Sequence, residues 1–293
     1  MADFFDVNLL KAVLRMATPL IFAAMGGLIC ERSGIMNIGL EGMMLTGAFV
    51  GVLGTYYLHN PWWGLICAIL AGGAVGLIHA FWSIGLRSDQ IVTGTAINLL
   101  AAGITIFLCQ RIWNQAGRTP SVETLPTVTG GLSILVPIAF LTIPVVWYFL
   151  RGTRPGLRLM ASGESPQAAE SVGIAVDKTR YLAVMTSGML AATGGAYLSI
   201  GSLSLFTRDM TAGRGFIALA AVIFGNWMPL GTLGACLLFA GAQALQIQGQ
   251  VKGIGIPTEL LLALPYLLTL IALAGFVRNS RPPAGLGQHP TTH

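Results

Sequence analysis

The sequence predicts an all-α membrane protein that crosses the bilayer about nine times. Of its 293 residues, 54% are hydrophobic and only 9% are charged, and the mean hydropathy is +0.75. A soluble domain of ordinary composition carries about 25% charged residues. Apolar runs long enough to cross a bilayer recur along the whole chain, separated by Gly, Pro or charged residues. The net charge of +5 is spread over the loops, so the composition gives no indication of a nucleic-acid partner.

The apolar runs indicate a single transmembrane domain built from two repeats. We expect membrane spans at about 9–29, 41–57, 62–85, 90–110, 133–150, 181–200, 213–225, 230–245 and 259–277. The first repeat then covers about 9–110, and the second repeat covers about 181–277, with span five between them. A polar loop, 151–180, joins span five to the second repeat. The Pro- and Gly-rich tail 278–293 is expected to be disordered.

The polar loop 151–180 also sets the predicted orientation. It carries five cations, and two more, Arg278 and Arg281, follow the last span. Basic loops remain on the cytoplasmic side of a membrane, and the four predicted spans between the loop and the tail allow both to lie there. Counting back places the N-terminus outside, which agrees poorly with the cations Lys11 and Arg15. The predicted orientation therefore rests on the loop.

Each repeat has an interruption after its first span. The first interruption is 31–42 and the second is 207–215, which precedes a span of only about thirteen residues. Span one would run inwards and span six outwards, so the halves would be inverted repeats, in which matching interruptions point to the substrate route. The alternative is that both are ordinary loops. Ile35, Ile38 and Leu40 disfavour it, because they keep the first interruption half apolar.

Weakly polar residues supply the candidate lining of this route. They are amides, glycines and one carboxylate: Asn37, Gly39, Glu41, Asn98, Gly213 and Gly215. Amides offer both donors and acceptors, which suits a neutral, hydroxylated solute. Ion-driven carriers usually keep ionisable groups at mid-membrane, and predicted spans four, five, six and eight contain no Asp, Glu, Lys or Arg. Glu41 would open span two, where its charge complements the positive end of that helix, so a structural role is the stronger expectation for it.

A short capped helix is predicted in the middle of the polar loop, at 165–172. Ser165 can accept backbone N–H groups at its start, Pro166 suits the first turn, and Gly173 suits the left-handed position after its end. The segment has no aromatic and few apolar side chains, which disfavours the alternative of an amphipathic helix lying in the membrane interface. A capped helix in such a loop indicates a docking element for a soluble partner.

The sequence contains none of the common catalytic or phosphate-binding motifs. GxxxxGKS/T, HExxH and GxSxG are all absent. We therefore expect no enzyme activity and no ATP binding through a phosphate loop. The four His residues are dispersed and the four Cys residues lack metal or redox spacing, so no metal site is expected.

Three stretches resemble the permease subunits of bacterial ABC importers for nucleosides and simple sugars, a ribose-like and branched-chain-amino-acid-like family. The first is PLIFAAMGGLI with the following ERSGIMNIGLEGMMLTGAF, whose Glu-Arg-Ser-Gly run is closer to the nucleoside branch. The second, RLMASGESPQAAESVGIAVDKTRY, resembles the coupling segment of the family. The third is GRGFIALAAVIFGNWMPLG, and together the three stretches extend over about 16 to 231.

The resemblance implies a permease that works with other subunits in the bacterial inner membrane. These are a cytoplasmic ABC ATPase that binds the ATP, a second permease subunit that is identical or related, and an extracytoplasmic solute-binding protein. The permease itself would bind no cofactor. By motif, the residues that couple it to the ATPase are Glu164, Pro166, Ala168, Ala169, Glu170 and Gly173.

The cargo implied by the resemblance is a neutral nucleoside-like or simple-sugar solute, and the family also includes a riboflavin transporter. The alternative function is a self-sufficient secondary transporter of a small neutral solute. The capped loop helix and the low charge of the spans favour the ABC permease.

Overall fold

The computed structural model describes residues 7–128, 131–251 and 281–288, most of which are helical. The helices are α1 (Val7–Arg32), α2 (Leu40–Leu58), α3 (Pro61–Ala80), α4 (Gln90–Trp113), α5 (Leu135–Gly152), α6 (Arg154–Glu164), α7 (Pro166–Ser171), α8 (Val176–Ala196), α9 (Arg214–Phe224) and α10 (Pro229–Val251). Helices α3 and α8 continue into π-helical turns at Phe81–Gly85 and Tyr197–Leu203. A small antiparallel hairpin, β1 (Thr127–Val128) with β2 (Leu132–Ser133), precedes α5.

Six helices of the described ranges are long and apolar enough to cross a membrane: Val7–Arg32, Pro61–Gly85, Gln90–Trp113, Leu135–Gly152, Val176–Leu203 and Pro229–Val251. They coincide with six of the nine predicted spans. The second predicted span corresponds to the 19-residue α2 and the seventh to α9, which has only 11 residues. The ninth, 259–277, lies outside the described residues. The count of nine and the inverted repeats therefore stay predictions.

Local sequence signals set the starts of two spans. The Asn60 side chain accepts a hydrogen bond from Trp62 N at 2.9 Å, and Pro61 occupies the first turn of α3. Asp89 caps α4 in the same way, accepting from two backbone N–H groups of its first turn. These caps fix the points at which the chain turns back into the bundle.

Helix α1 lies in the middle of the bundle. Every residue from Ala17 to Glu31 is buried, which is the expected surrounding for a helix that is apolar on all sides. The last turn and a half of α8, Ala191–Ala196, is buried as well. Large exposed side chains such as Leu99 and Phe107 lie on the outer helix α4. Those surfaces are suited to lipid or to another membrane subunit.

Small residues allow α2, α3 and α8 to approach one another backbone to backbone. A Cβ atom added to Gly47 of α2 would clash with the backbone of Ala192, and one added to Gly72 of α3 would clash with Gly188 O. Small residues four apart permit such close packing in membrane helices. The three helices therefore form a tight seam that holds the two halves of the chain together.

The C-terminal residues 281–288 pack on the end of the bundle that carries α6 and α7. Gly285 N donates to Gly163 O at 2.8 Å, and Gly287 N donates to Gly34 O at 3.0 Å. The expectation of disorder therefore does not hold for this part of the tail. The reason is that its backbone groups find partners on α6 and on the segment after α1, which no local sequence signal reveals.

Replacing Gly195 by Ala is expected to push α8 away from α2, because an added Cβ would clash with Met44 O. Overpacking of this kind usually costs about 1–3 kcal/mol, so the purified protein should unfold at a lower temperature in detergent. The control is Gly103→Ala on α4, where nothing lies within 4 Å of an added Cβ and Ala favours the helix. Equal unfolding temperatures for the two variants would contradict this packing.

Candidate transport route and coupling segment

The first interruption, residues 33–39, is non-helical backbone inside the bundle. Ser33 O accepts a hydrogen bond from Arg180 Nε at 3.1 Å, and Asn37 Nδ2 donates to Ser187 Oγ at 2.9 Å. The two α8 residues are seven positions apart, which corresponds to about 10 Å along a helix. Ser33 and Asn37 are both 0% exposed. The segment therefore runs along α8 inside the bundle, where protein surrounds it.

The side chain of Asn98 on α4 makes hydrogen bonds with backbone groups at this interruption. Its Oδ1 accepts from Gly42 N at 2.7 Å, and its Nδ2 donates to Ile38 O at 3.0 Å. Helix α4 comes so close that a Cβ added to Gly42 would lie 2.8 Å from Ile97 O. Both polar groups of the Asn98 amide thus hold the backbone. Gly39 is the residue before α2 and has no side chain to cap it.

Asn37 retains one acceptor group without a partner. Its Nδ2 is bonded to Ser187, but its Oδ1 accepts no hydrogen bond from the residues that the structure describes. Buried side-chain oxygens are rarely left unpaired. The role of Asn37 in lining a route stays a prediction, and its contact with α8 is what the structure shows.

Glu41 joins the two interruptions. It lies in the first turn of α2, where the sequence predicts a charge that complements the helix end. Its Oε1 accepts from Gly213 N at 2.9 Å, and its Oε2 accepts from Gly215 N at 2.6 Å. These N–H groups belong to the start of α9, so the carboxylate also caps the positive end of a helix from the second half of the chain.

Two glycines shape the second interruption so that Glu41 can reach it. Gly213 has a φ of +80°, a left-handed conformation that glycine adopts without steric cost. A Cβ added to Gly215 would lie 2.9 Å from Glu41 Oε2 and would clash with the Glu41 backbone. Of the six predicted route residues, Glu41, Gly213 and Gly215 form the contact between the two interruptions. The other three, Asn37, Gly39 and Asn98, lie in or against the first interruption.

The predicted loop helix corresponds to α7, at Pro166–Ser171, directly after the longer α6. Gly173 has a φ of +81°, and the next residue's N–H, Ile174 N, donates to Ala169 O at 3.0 Å, which closes the helix as predicted. Ser165 is the residue before α7, but its side chain makes no capping hydrogen bond. At Pro166–Ser171 the helix is one residue shorter at each end than the predicted 165–172.

Helix α7 has one face on the protein and one face outward. Pro166 and Ala169 are buried, whereas Ala168 and Glu170 are exposed. The neighbouring Val172 is 74% exposed. An apolar side chain so exposed at the end of this helix is a candidate contact for another subunit, and the sequence analysis did not single it out.

Glu164 links the coupling segment to α1. Its Oε1 lies 3.6 Å from Arg32 Nη1, and Arg32 Nε donates to Trp227 O at 2.8 Å. The indole N–H of Trp227 donates in turn to Glu31 Oε2. Because Trp227 lies in the turn between α9 and α10, these bonds tie the end of α6 to the end of α9 through α1.

Arg180 forms a second link from the same end of the bundle. Its side chain is 1% exposed and donates to three backbone carbonyls: Ser33 O at 3.1 Å, Gln288 O at 3.2 Å and Ser162 O at 3.4 Å. It therefore joins the first interruption, the C-terminal segment and α6. From the sequence, Arg180 is only the last cation of the polar loop. Its position directly before the apolar run of α8 was the one sign that it could be buried.

A helical bundle of several candidate membrane spans, with interrupted segments joined in its interior, is typical of membrane transport proteins. The chain belongs to the family described as branched-chain amino acid transport system / permease component, which matches residues 9–273. It is a permease subunit of an ABC importer and a multi-pass protein of the inner membrane.

Three similar relatives cover most of the chain. The guanosine ABC transporter permease protein NupQ of Bacillus subtilis is 40% identical over 95% of this chain and 95% of its own. The nucleoside ABC transporter permease protein NupC of Lactococcus lactis is 37% identical over 92% of both chains. TsgC13 of Haloferax volcanii, named provisionally as a glucose ABC transporter permease, is 38% identical over 84% of this chain and 79% of its own.

Replacing Glu41 by Ala is expected to release the start of α9. The change removes two hydrogen bonds to a carboxylate, each worth about 1.5–3 kcal/mol, so the purified protein should unfold at a lower temperature and transport should fall. Glu41→Gln keeps one acceptor oxygen and should lose less. The control is Glu123→Ala, at an exposed position before the hairpin. Unchanged stability and uptake of Glu41→Ala would show that this contact is dispensable.

Proposed function

We propose that this permease moves a neutral, nucleoside-like solute into the cell, driven by ATP hydrolysis on a partner subunit. The observation that carries the choice of cargo is the similarity to NupQ and NupC, whose names assign them guanosine and nucleosides. The Glu-Arg-Ser-Gly run at Glu31–Gly34 agrees with that choice. A simple sugar is the second candidate, because TsgC13 is 38% identical to this chain.

We propose that the route passes beside the joined interruptions of two inverted repeats, nine spans in all. Support comes from the contact of Glu41 with Gly213 and Gly215, which brings both interruptions to one place. The amides Asn37 and Asn98 hold the first interruption there, and Gly39 opens α2. Polar groups that are already hydrogen-bonded to the backbone are not available to the cargo, so such a lining binds cargo weakly. Weak binding suits a permease that must release cargo delivered by a binding protein.

The ATPase partner would dock on the outward face of α7. Ala168 and Glu170 would meet it, with Val172 as an apolar contact, while Pro166 and Ala169 anchor the helix to the permease. If the ATPase moves this segment, Glu164 would transmit the movement to α1 through its ion pair with Arg32. Gly173 would end the docking helix.

The remaining partners follow from the same assignment. An importer of this class needs a second permease subunit, identical or related, and an extracytoplasmic solute-binding protein that delivers the cargo. A self-sufficient secondary transporter would instead need an ionisable group that exchanges its ion during transport. Glu41, the carboxylate at the joined interruptions, is occupied by two backbone N–H groups, which favours the ABC permease.

The cargo is tested by uptake in cells that carry the complete transporter. We expect competition by unlabelled nucleosides to abolish uptake of a radiolabelled nucleoside, with ribose competing weakly and leucine not at all. Cells that lack only this permease are the control. Uptake of leucine without uptake of nucleosides would contradict the proposed cargo and would leave the permease assignment standing.

The docking of α7 is tested by Ala168→Arg. A long charged side chain on the exposed face should weaken contact with the ATPase, so uptake should fall by about tenfold for a loss of about 1.4 kcal/mol. Ala168→Ser is the matched control, because it adds little volume at the same position. Ala169 is less suitable, since it is only 3% exposed and a bulky charge there would disturb packing. Normal uptake and normal copurification of the ATPase with Ala168→Arg would contradict docking at this face.

A further inference from the structure

A long groove lies between α5 and α8 on the outside of the bundle. Its volume is about 660 Å³, and its walls include Val145 and Phe149 of α5 and Leu182, Met189 and Leu190 of α8. It extends along α8 from Thr179 to Thr193, fourteen residues or about 21 Å of helix. That length exceeds the roughly 15 Å of hydrocarbon in one leaflet of a bilayer. The groove is therefore long enough to hold one extended acyl chain.

Four threonines line the groove, yet none of them has a free hydroxyl proton. Each donates its proton to a carbonyl three or four residues earlier in its own helix, over 2.6–3.0 Å: Thr142 to Ala139 O, Thr179 to Ala175 O, Thr186 to Leu182 O and Thr193 to Met189 O. What the threonines add to the walls is mainly their methyl groups. A nucleoside or a sugar needs both donors and acceptors around it, so this groove does not suit the proposed cargo.

The end of the groove next to α6 is basic. Arg158 and Pro155 line it, Arg154 directly precedes Pro155, and Lys178 directly precedes the groove residue Thr179. These three exposed cations outnumber the one exposed acid beside them, Asp177. Within the described ranges, Arg158 forms no salt bridge, because the two that are found there use Arg32 and Arg208. An exposed guanidinium without an acidic partner at the end of an apolar groove is complementary to a phosphate group.

We propose that the groove is a binding site for an anionic phospholipid of the surrounding membrane. One acyl chain lies between α5 and α8, and the lipid phosphate binds Arg158. Basic pockets between membrane helices bind anionic headgroups in this way. The groove touches α6 and α8, which flank the coupling helix α7, so the bound lipid steadies the segment on which the ATPase is proposed to dock. The lipid site itself does not depend on that docking or on the cargo.

The headgroup contact is tested on the complete purified transporter by native mass spectrometry, with titration of phosphatidylglycerol or phosphatidylcholine. Arg158→Gln should weaken phosphatidylglycerol binding about fivefold, as expected for one cation near an anionic headgroup. Phosphatidylcholine binding should fall by clearly less, because the choline cation offsets the charge of its phosphate. Arg158→Lys should restore most of the difference. The control is Arg118→Gln, at an exposed position beyond α4. An equal effect of Arg158→Gln on both lipids, or none on either, would overturn the headgroup assignment.

The acyl-chain contact is tested independently by filling the groove. Thr186→Trp should lower the number of bound phosphatidylglycerol molecules, whereas Thr95→Trp should not. Thr95 is a fair control, because it is exposed on α4 and its hydroxyl likewise donates to a carbonyl four residues earlier, Ile91 O at 2.8 Å. The competing occupant is another protein subunit. Efficient crosslinking of Leu182→Cys to a partner subunit, with lipid binding unaffected by Thr186→Trp, would overturn the proposal.

Discussion

The carboxylate of Glu41 holds the N-terminus of α9, and the interrupted architecture depends on this interaction. A helix that begins inside a bundle leaves backbone N–H groups without partners, and a bilayer offers no water to bind them. Glu41 accepts from two of these groups, Gly213 N and Gly215 N. The acid can do so only because the first interruption lets α2 begin beside α9. Each interruption therefore makes the other one possible.

Side chains replace water at the first interruption as well. Asn98 binds one backbone donor and one backbone acceptor, and Arg180 binds three carbonyls at the end of the bundle. Most polar groups of these segments are thus committed to the fold. This explains how a chain with only 9% charged residues can build irregular backbone in its interior. It also leaves few polar groups for cargo.

The sequence predicted those features that arise from local patterns. The long apolar runs give six of the spans, and Pro166 and Gly173 mark the coupling helix because proline and glycine act through their own backbone. It did not predict that Glu41 would reach Gly213, since the two residues are 172 positions apart. The packed C-terminal segment was missed for the same reason. Contacts of this kind depend on how helices meet, which hydropathy and caps do not encode.

Helix α9 connects the contact at Glu41 with the hydrogen bonds around Trp227. It is an 11-residue rod whose start is held by Glu41 and whose end leads to Trp227. Trp227 is bonded to Glu31 and Arg32 of α1, and Arg32 is paired with Glu164 at the end of α6. Helix α9 therefore connects the hydrogen bonds of Trp227 with those of Glu41 within one short helix. The carboxylate of Glu41 thus lies at one end of a series of contacts whose other end is Glu164 of α6.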